Sequence, residues 1–325
     1  MQLEQNLLKP IEKELEIVTK NILTLVKKGH PILFTTTKLL FNKRGKQLRP
    51  AIVILVSKAT TRTNNINFKQ SRLAEIIEII HTASLIHDDV LDDAILRRGV
   101  PTIHSNLGTK IAILAGDFLF AQSSWYLASL ENLEVIKLIS KVISDFAEGE
   151  IRQGLNLFND NLSINQYIEK SFYKTASLVA ASAKSAAILS EVDMTVANDF
   201  YDFGRNLGIA FQIIDDILDF TQQTKNLGKP ADSDLLSGNL TAPILLTLKQ
   251  NPDLIEIINK KIKTTNDINK IKNIVIKTKG VDQAKELAQE YINVAIKCLP
   301  KVSQKNDPYI ATLKHLSHYV LDRTL

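Results

Sequence analysis

Residues 81–98 read HTASLIHDDVLDDAILRR. Asp88, Asp89 and Asp92 form a DDxxD pattern there. On a helix, Asp88 and Asp92 stack on one face, one turn apart. His81 lies two turns before Asp88 on nearly the same face. Arg97, Arg98, Gly99 and Pro101 follow as a stop signal. The aspartates therefore fall near a helix C-terminus, where the macrodipole disfavours negative charge. If this cluster is partly buried, two arginines are too few to compensate it, and a further cation is expected.

A single DDxxD is most often a solvated acidic face. Here the pattern recurs. Residues 211–220 read FQIIDDILDF, with Asp215, Asp216 and Asp219 at the same spacing and Gly228 and Pro230 soon after. Solvated acidic faces do not usually sit inside runs such as LIHDDVL and FQIIDDIL. The two runs are better read as facing walls of one site.

Composition narrows the class. The chain has 325 residues, 45% hydrophobic and 23% charged, as in a globular protein with a sizeable core. Its 12 glycines and 9 prolines are few for the length and favour long helices over a turn-rich β protein. The one cysteine, Cys298, excludes an intramolecular disulfide and a cysteine-based zinc cluster. A net charge of +5 is too mild to argue for nucleic acid as a partner. The N-terminal run lacks an apolar signal core. Charge-free stretches such as 118–130 fall short of the ~18 residues of a membrane helix. Neither a signal nor a transmembrane segment is expected. Heavy use of lysine, asparagine and isoleucine hints at an AT-rich genome. The expected location is the plastid stroma if the chain is plastid-encoded, and a bacterial cytoplasm otherwise.

Periodicity predicts helices over 2–28, onward to about 42, and over 51–59. Basic residues 43–50 and polar residues 60–67 read as loops. The central helix is expected over 68–96, roughly 43 Å at ~1.5 Å per residue. Further helices fit 104–129, 133–158, 164–190 and 194–221, then, after a loop at 224–239, 242–249, 254–263, 268–279, 281–299 and 308–322. No stretch shows convincing strand alternation and no linker marks a boundary. The expectation is one all-α domain over 1–325. The lysine-rich segment 260–279 is most simply a solvated face, and less simply a surface for anionic lipid headgroups.

Carboxylate clusters without cysteine or histidine partners suit hard cations, above all Mg2+. Neither motif has the EF-hand loop. Mg2+ commonly uses one or two carboxylates and fills its shell with water and substrate phosphate oxygens. Lys46, Arg49, Arg97, Arg98, Lys174 and Lys229 are candidates to clamp those phosphates. Each lysine taken alone is better read as a snorkelling surface residue.

These residues carry a family resemblance. The sequence resembles the trans-isoprenyl diphosphate synthases. The matches are GKQLRP at 45–50, IHTASLIHDDVLDD with RRG at 80–99, GDF at 116–118 and EGE at 148–150. KT at 174–175, FQIIDDILD at 211–219 and GKP at 228–230 follow in the family's order. They cover about residues 40–245. LAGDFLFAQSSWYLA and GKPADSDLLSGNLTAP are most similar to the long-chain, solanesyl (nonaprenyl) type of cyanobacteria and plastids. One departure is Asn239, where many relatives carry a lysine.

The resemblance implies the isoprenoid synthase fold, mostly antiparallel helices around a deep central cavity, usually as a homodimer. It implies that Asp88, Asp89, Asp92, Asp215, Asp216 and Asp219 hold two or three Mg2+ on an allylic diphosphate. Lys46, Arg49, His81 and Arg98 would bind isopentenyl diphosphate. Arg97, Lys174, Thr175, Gln212 and Lys229 would bind the allylic diphosphate. On the residues alone, His81 is better read as a satisfied core histidine. Short-chain relatives place bulky aromatics where this chain has Ala83 and Ser84, so a long product is expected, the nonaprenyl side chain of plastoquinone. Loose membrane association would come through that product. Ser84 lies about 40° from Asp88 around the helix axis, Ala83 about 140°. The alternatives are a geranylgeranyl product, a terpene cyclase or a non-catalytic subunit. The intact second acidic motif speaks against the last two.

Overall fold

The computed structural model describes residues 7–26, 31, 47–61, 65–97, 99–222, 233–248, 250–251, 253–260, 262, 264–301 and 307–323. The described residues form an all-α fold with one two-residue hairpin. A 3-10 turn at Lys9–Ile11 leads into α1 (Glu12–Val26), followed by α2 (Leu48–Thr60) and α3 (Phe68–Leu91). Strands β1 (Leu96–Arg97) and β2 (Val100–Pro101) precede α4 (Ile103–Leu107), α5 (Thr109–Ala128) and α6 (Leu133–Leu155). Next come α7 (Ile164–Ser171), a π-helical turn (Phe172–Ala176), α8 (Ser177–Ile188) and α9 (Met194–Thr221). The last are α10 (Ser233–Ser237), α11 (Ala242–Leu248), α12 (Asp253–Asn259), α13 (Thr265–Lys277), α14 (Gly280–Cys298) and α15 (Asp307–Asp322).

Two compact units emerge. The first comprises Met1–Ile143, Leu178–Gly204 and Cys298–Leu316, and the second Ser144–Ser177, Arg205–Lys297 and Ser317–Leu325.

The first unit is built on α2 and α3. Every residue of α2 from Pro50 to Ala59 is buried. Its run Ile52, Val53, Ile54, Val56 has weak helix propensity, so burial on all sides decides its conformation rather than propensity. Gln47, with φ of 47°, turns the chain into α2, and its Nε2 donates to Thr19 Oγ1 at 2.7 Å. A Lys58–Glu14 ion pair at 2.6 Å ties α2 to α1. Helix α3 opens on a capping box. Asn67 Oδ1 accepts from the Gln70 N–H, and Gln70 Oε1 accepts from the Asn67 N–H. Gln70 Nε2 then reaches Ser190 Oγ at 2.7 Å, and Thr60 Oγ1 meets the same hydroxyl at 2.6 Å. Between those polar anchors and the aspartates, Leu73, Ile76, Ile77, Ile80 and Ala83 are fully buried.

Helix α3 stops at Leu91 rather than at the expected residue 96. Its 24 residues span roughly 36 Å instead of 43 Å. Asp92 is the C-cap, and Asp93 takes the left-handed conformation with φ of 49°. Short polar side chains tolerate that conformation, whereas the apolar residues at 94–96 merely continue the pattern. They lead into the hairpin instead, where Arg97 pairs with Val100 and Gly99 has φ of 73°. The helix expected over 104–129 is broken at Gly108, with φ of 87°, and the one over 164–190 by the π turn. The expected bounds of α9, 194–221, are those observed. The second expected helix to residue 42 and the first half of the basic loop, 43–46, lie outside the described residues. Residues 48–50 form the first turn of α2, where a proline is tolerated.

One described helix, α5, is long and apolar enough to cross a membrane, and a third of it is buried in the fold. Its buried line includes Ala112, Ala115, Gly116 and Leu119. At Gly116 a Cβ would stand 2.2 Å from His87 Nε2, so only glycine allows the imidazole to lie there. His87 Nε2 also lies 3.1 Å from the Ile113 carbonyl oxygen. This contact fixes the turn of α3 immediately before Asp88. Gly116→Ala is expected to destabilise the chain by about 1–3 kcal/mol through overpacking. Chemical denaturation checks this, and an unchanged midpoint would contradict the close approach.

Candidate active site

Each acidic motif belongs to one unit. In the first, Asp88 is half-buried and Asp92 exposed, while Asp89 is 4% exposed. Arg97, placed by the hairpin, donates from Nε to Asp89 Oδ1 at 2.6 Å. Burial still raises the Asp89 carboxyl above the usual range, against the pull of Arg97. One turn of the motif thus turns two carboxylates outward and one inward onto a guanidinium.

Two turns earlier, Arg49 Nη1 lies 3.0 Å from His81 Nε2. A guanidinium only donates, so His81 Nε2 accepts and the imidazole carries its proton on Nδ1. Of the four residues expected to bind isopentenyl diphosphate, the structure brings Arg49 and His81 together. Lys46 and Arg98 lie outside the described residues. Ala83 is fully buried, whereas Ser84 is half-buried and donates to the His81 carbonyl at 2.9 Å.

In the second unit the first two aspartates divide in the same way, while the third is buried rather than exposed. Asp215 is 38% exposed at its side chain, while Asp216 and Asp219 are 5% and 3% exposed. The outward carboxylate Asp215 meets Arg323 Nη2 at 2.7 Å. The inward Asp216 accepts from Tyr167 OH at 2.6 Å and from Gln212 Nε2 at 2.8 Å. Gln212 Oε1 accepts in turn from Thr175 Oγ1 at 2.6 Å. Two expected allylic-diphosphate residues, Thr175 and Gln212, are therefore bonded to each other, and Gln212 in turn to one buried carboxylate. Burial, with Asp234 nearby, raises the Asp216 carboxyl to about 7. The π turn carries Lys174 and Thr175. It packs against α9 where Gly208 leaves room, because a Cβ there would stand 2.5 Å from Ala176 Cα. Lys174 Nζ pairs with Glu150 at 2.7 Å. Lys229 lies outside the described residues.

The donor set tests whether a metal suits the site. Among the described residues no three carboxylate, imidazole or thiol groups already converge on one point. The motifs offer oxygen donors only, with Asp88 and Asp92 one turn apart. That suits a hard divalent ion that takes one or two carboxylates and completes its shell with water and phosphate oxygens.

The family model described as polyprenyl synthetase matches residues 30–276. The chain belongs to the polyprenyl synthetase family. It is 58% identical, over 98% of both chains, to a prenyl transferase of Cyanophora paradoxa. It is 52% identical to the chloroplastic solanesyl diphosphate synthase 1 of Arabidopsis thaliana, over 89% of this chain and 72% of that one. The polyprenyl synthase of Caulobacter crescentus CB15, crystallised with calcium and isoprenyl diphosphate, shares the fold. Its TM-score is 0.91 at 29% identity, covering 98% of each chain. The all-α isoprenoid synthase fold expected of this family member is the one observed.

Three residues of the site escaped the sequence reading. Tyr167, Lys170 and Arg323 carry no motif of their own. Lys170 Nζ donates to Asn239 Oδ1 at 2.6 Å and lies 5.4 Å from the centroid of the Tyr167 ring. Asn239, the departure from the family pattern, thus receives its cation from Lys170. Tyr167→Phe keeps the buried ring but removes the donor to Asp216. The expected cost is about 1–3 kcal/mol, read as a lower denaturation midpoint. An unchanged midpoint would mean the bond contributes nothing.

Proposed function

We propose that this chain is a long-chain trans-prenyltransferase that condenses isopentenyl diphosphate with an allylic diphosphate. The observation that carries the reading is the repeated split of each acidic motif into outward and inward carboxylates beside basic and amide side chains. In this reading both units form one polyprenyl synthetase domain, and the family model's match to 30–276, which spans residues of both, supports it.

Divalent metal, Mg2+ in this reading and two or three ions per site, would stabilise the charge that develops on the departing diphosphate. Asp88, Asp92 and Asp215 present their carboxylates for it. Asp89, Asp216 and Asp219 complete the two motifs from beneath. Lys174, Thr175, Gln212 and Lys229 orient the allylic diphosphate, joined by Arg97 from its seat on Asp89. Lys46, Arg49, His81 and Arg98 hold isopentenyl diphosphate. The neutral His81 donates from Nδ1 while Arg49 supplies the charge. As the allylic carbon–oxygen bond breaks, its electron pair leaves with the diphosphate. The double bond of isopentenyl diphosphate attacks the cation, and loss of a proton extends the chain by one unit. Apolar walls protect the cation from water.

The product is the nonaprenyl chain, used as the side chain of plastoquinone. Relatives named solanesyl diphosphate synthase support this over a geranylgeranyl product. The tail passes Ser84, which is small and half-buried on the side of Asp88. A homodimer is the working form. Its support is the outer face of α5, where Ile113, Leu114 and Trp125 are 43%, 49% and 74% exposed. A second copy covering these side chains would remove their apolar surface from water. The plastid stroma, or a bacterial cytoplasm, is the location most consistent with relatives from algae and a cyanobacterium.

Asp88→Ala and Asp215→Ala are each expected to cut turnover at least about a hundredfold at unchanged helical content. Steady-state assays and circular dichroism check this, and near-normal turnover in either variant would contradict the cation assignment. Ser84→Phe is expected to shorten the product, read by chromatography of the dephosphorylated alcohols. A Ser84→Phe product as long as the parent's would place the limit on chain length elsewhere.

A further inference from the structure

We infer that Arg323 is a positioning residue of the second acidic motif and competes with the divalent cation for Asp215. The inference rests on the reading of Asp215 as a cation ligand. Arg323 follows the last turn of α15, and its Nη2 lies 2.7 Å from Asp215 Oδ1. Its guanidinium covers the Phe211 ring, 4.7 Å from the centroid. Phe211 and Asp215 are one turn apart on α9, so ring and carboxylate form a single seat for a planar cation. The side chains of Arg323 and Asp215 are 16% and 38% exposed, so the pair is open to water on one side.

The seat is incompletely satisfied. Arg323 Nη1 is buried with no hydrogen-bond partner among the described residues. A purely structural pair would use that donor, because a buried donor left unmade is costly. Charge and stacking hold this arginine while part of its bonding capacity stays unused, which makes the pair easier to open. A guanidinium and a divalent ion on one carboxylate repel each other. Occupation by the ion therefore pushes the arginine off Asp215. Without the ion, the arginine neutralises a half-exposed carboxylate in the last two turns of α9.

The test measures Mn2+ binding by the full chain with no diphosphate present, from the electron paramagnetic resonance signal of the free ion. Arg323→Gln is expected to bind Mn2+ about two- to fivefold more tightly than the parent, the range a partly exposed ion pair supports. Equal or weaker binding overturns the competition. Should that variant fail to fold, Phe211→Leu, which removes the ring beneath the guanidinium, decides by the same criterion. Asp215→Asn separates the two readings. Weaker Mn2+ binding there, without a gain in Arg323→Gln, overturns the competition alone. An Asp215→Asn chain that binds Mn2+ like the parent shows that Asp215 is no ligand, and both readings fall.

Discussion

In each unit, three carboxylates toward the C-terminal end of one long helix are the constraint that its acidic motif depends on. Helix α3 ends at Leu91 and α9 at Thr221, each within a few residues of its acidic motif. The last carbonyls of a helix are unpaired and carry partial negative charge, so added carboxylates are disfavoured there. The fold supplies compensation piecemeal. Arg97 takes Asp89, Arg323 takes Asp215, and Tyr167 with Gln212 takes Asp216. None of these partners brings more than one positive charge, and Asp89 and Asp216 remain raised by burial. A chain selected for stability alone would not concentrate its charge this way. In the proposed reading, divalent ions arriving with a diphosphate would supply what these partners do not.

The inward carboxylates give the outward ones their geometry. Asp89 is fixed by the hairpin arginine and Asp216 by a fully buried tyrosine, so the turns carrying Asp88, Asp92 and Asp215 have little freedom to reorient. Tight backbone approaches serve the same end. The His87 imidazole lies against Gly116, and Ala176 of the π turn against Gly208. Each uses the absence of a Cβ to bring a functional turn against a packed helix. Rigidity of this kind suits a reaction whose catalysis is mostly positioning and charge stabilisation.

Much of this was legible in the sequence, and the limits have physical causes. The bounds of α9 could be read because Met194 follows a polar break and its apolar pattern runs unbroken to the second motif. The end of α3 was overshot because Ala94, Ile95 and Leu96 continue an apolar pattern that the left-handed Asp93 interrupts. The π turn left no trace in periodicity, since one widened turn shifts the pattern by a single residue. The aspartates, Thr175 and Gln212 were named from motif and resemblance, but their linkage was not. Tyr167 meets Asp216 across 49 residues, and Arg323 meets Asp215 from the far end of the chain. Such pairings are fixed by packing, which spacing does not encode. The inward and outward roles of equally spaced aspartates also become visible only with burial.

The most direct test of the central claim is the size of the product. Purified chain would be incubated with Mg2+, an allylic diphosphate primer and labelled isopentenyl diphosphate, and the products resolved by chain length. A metal-dependent product centred on the nonaprenyl chain is predicted. No incorporation with any primer, or a product that stops at the geranylgeranyl length, would contradict the account.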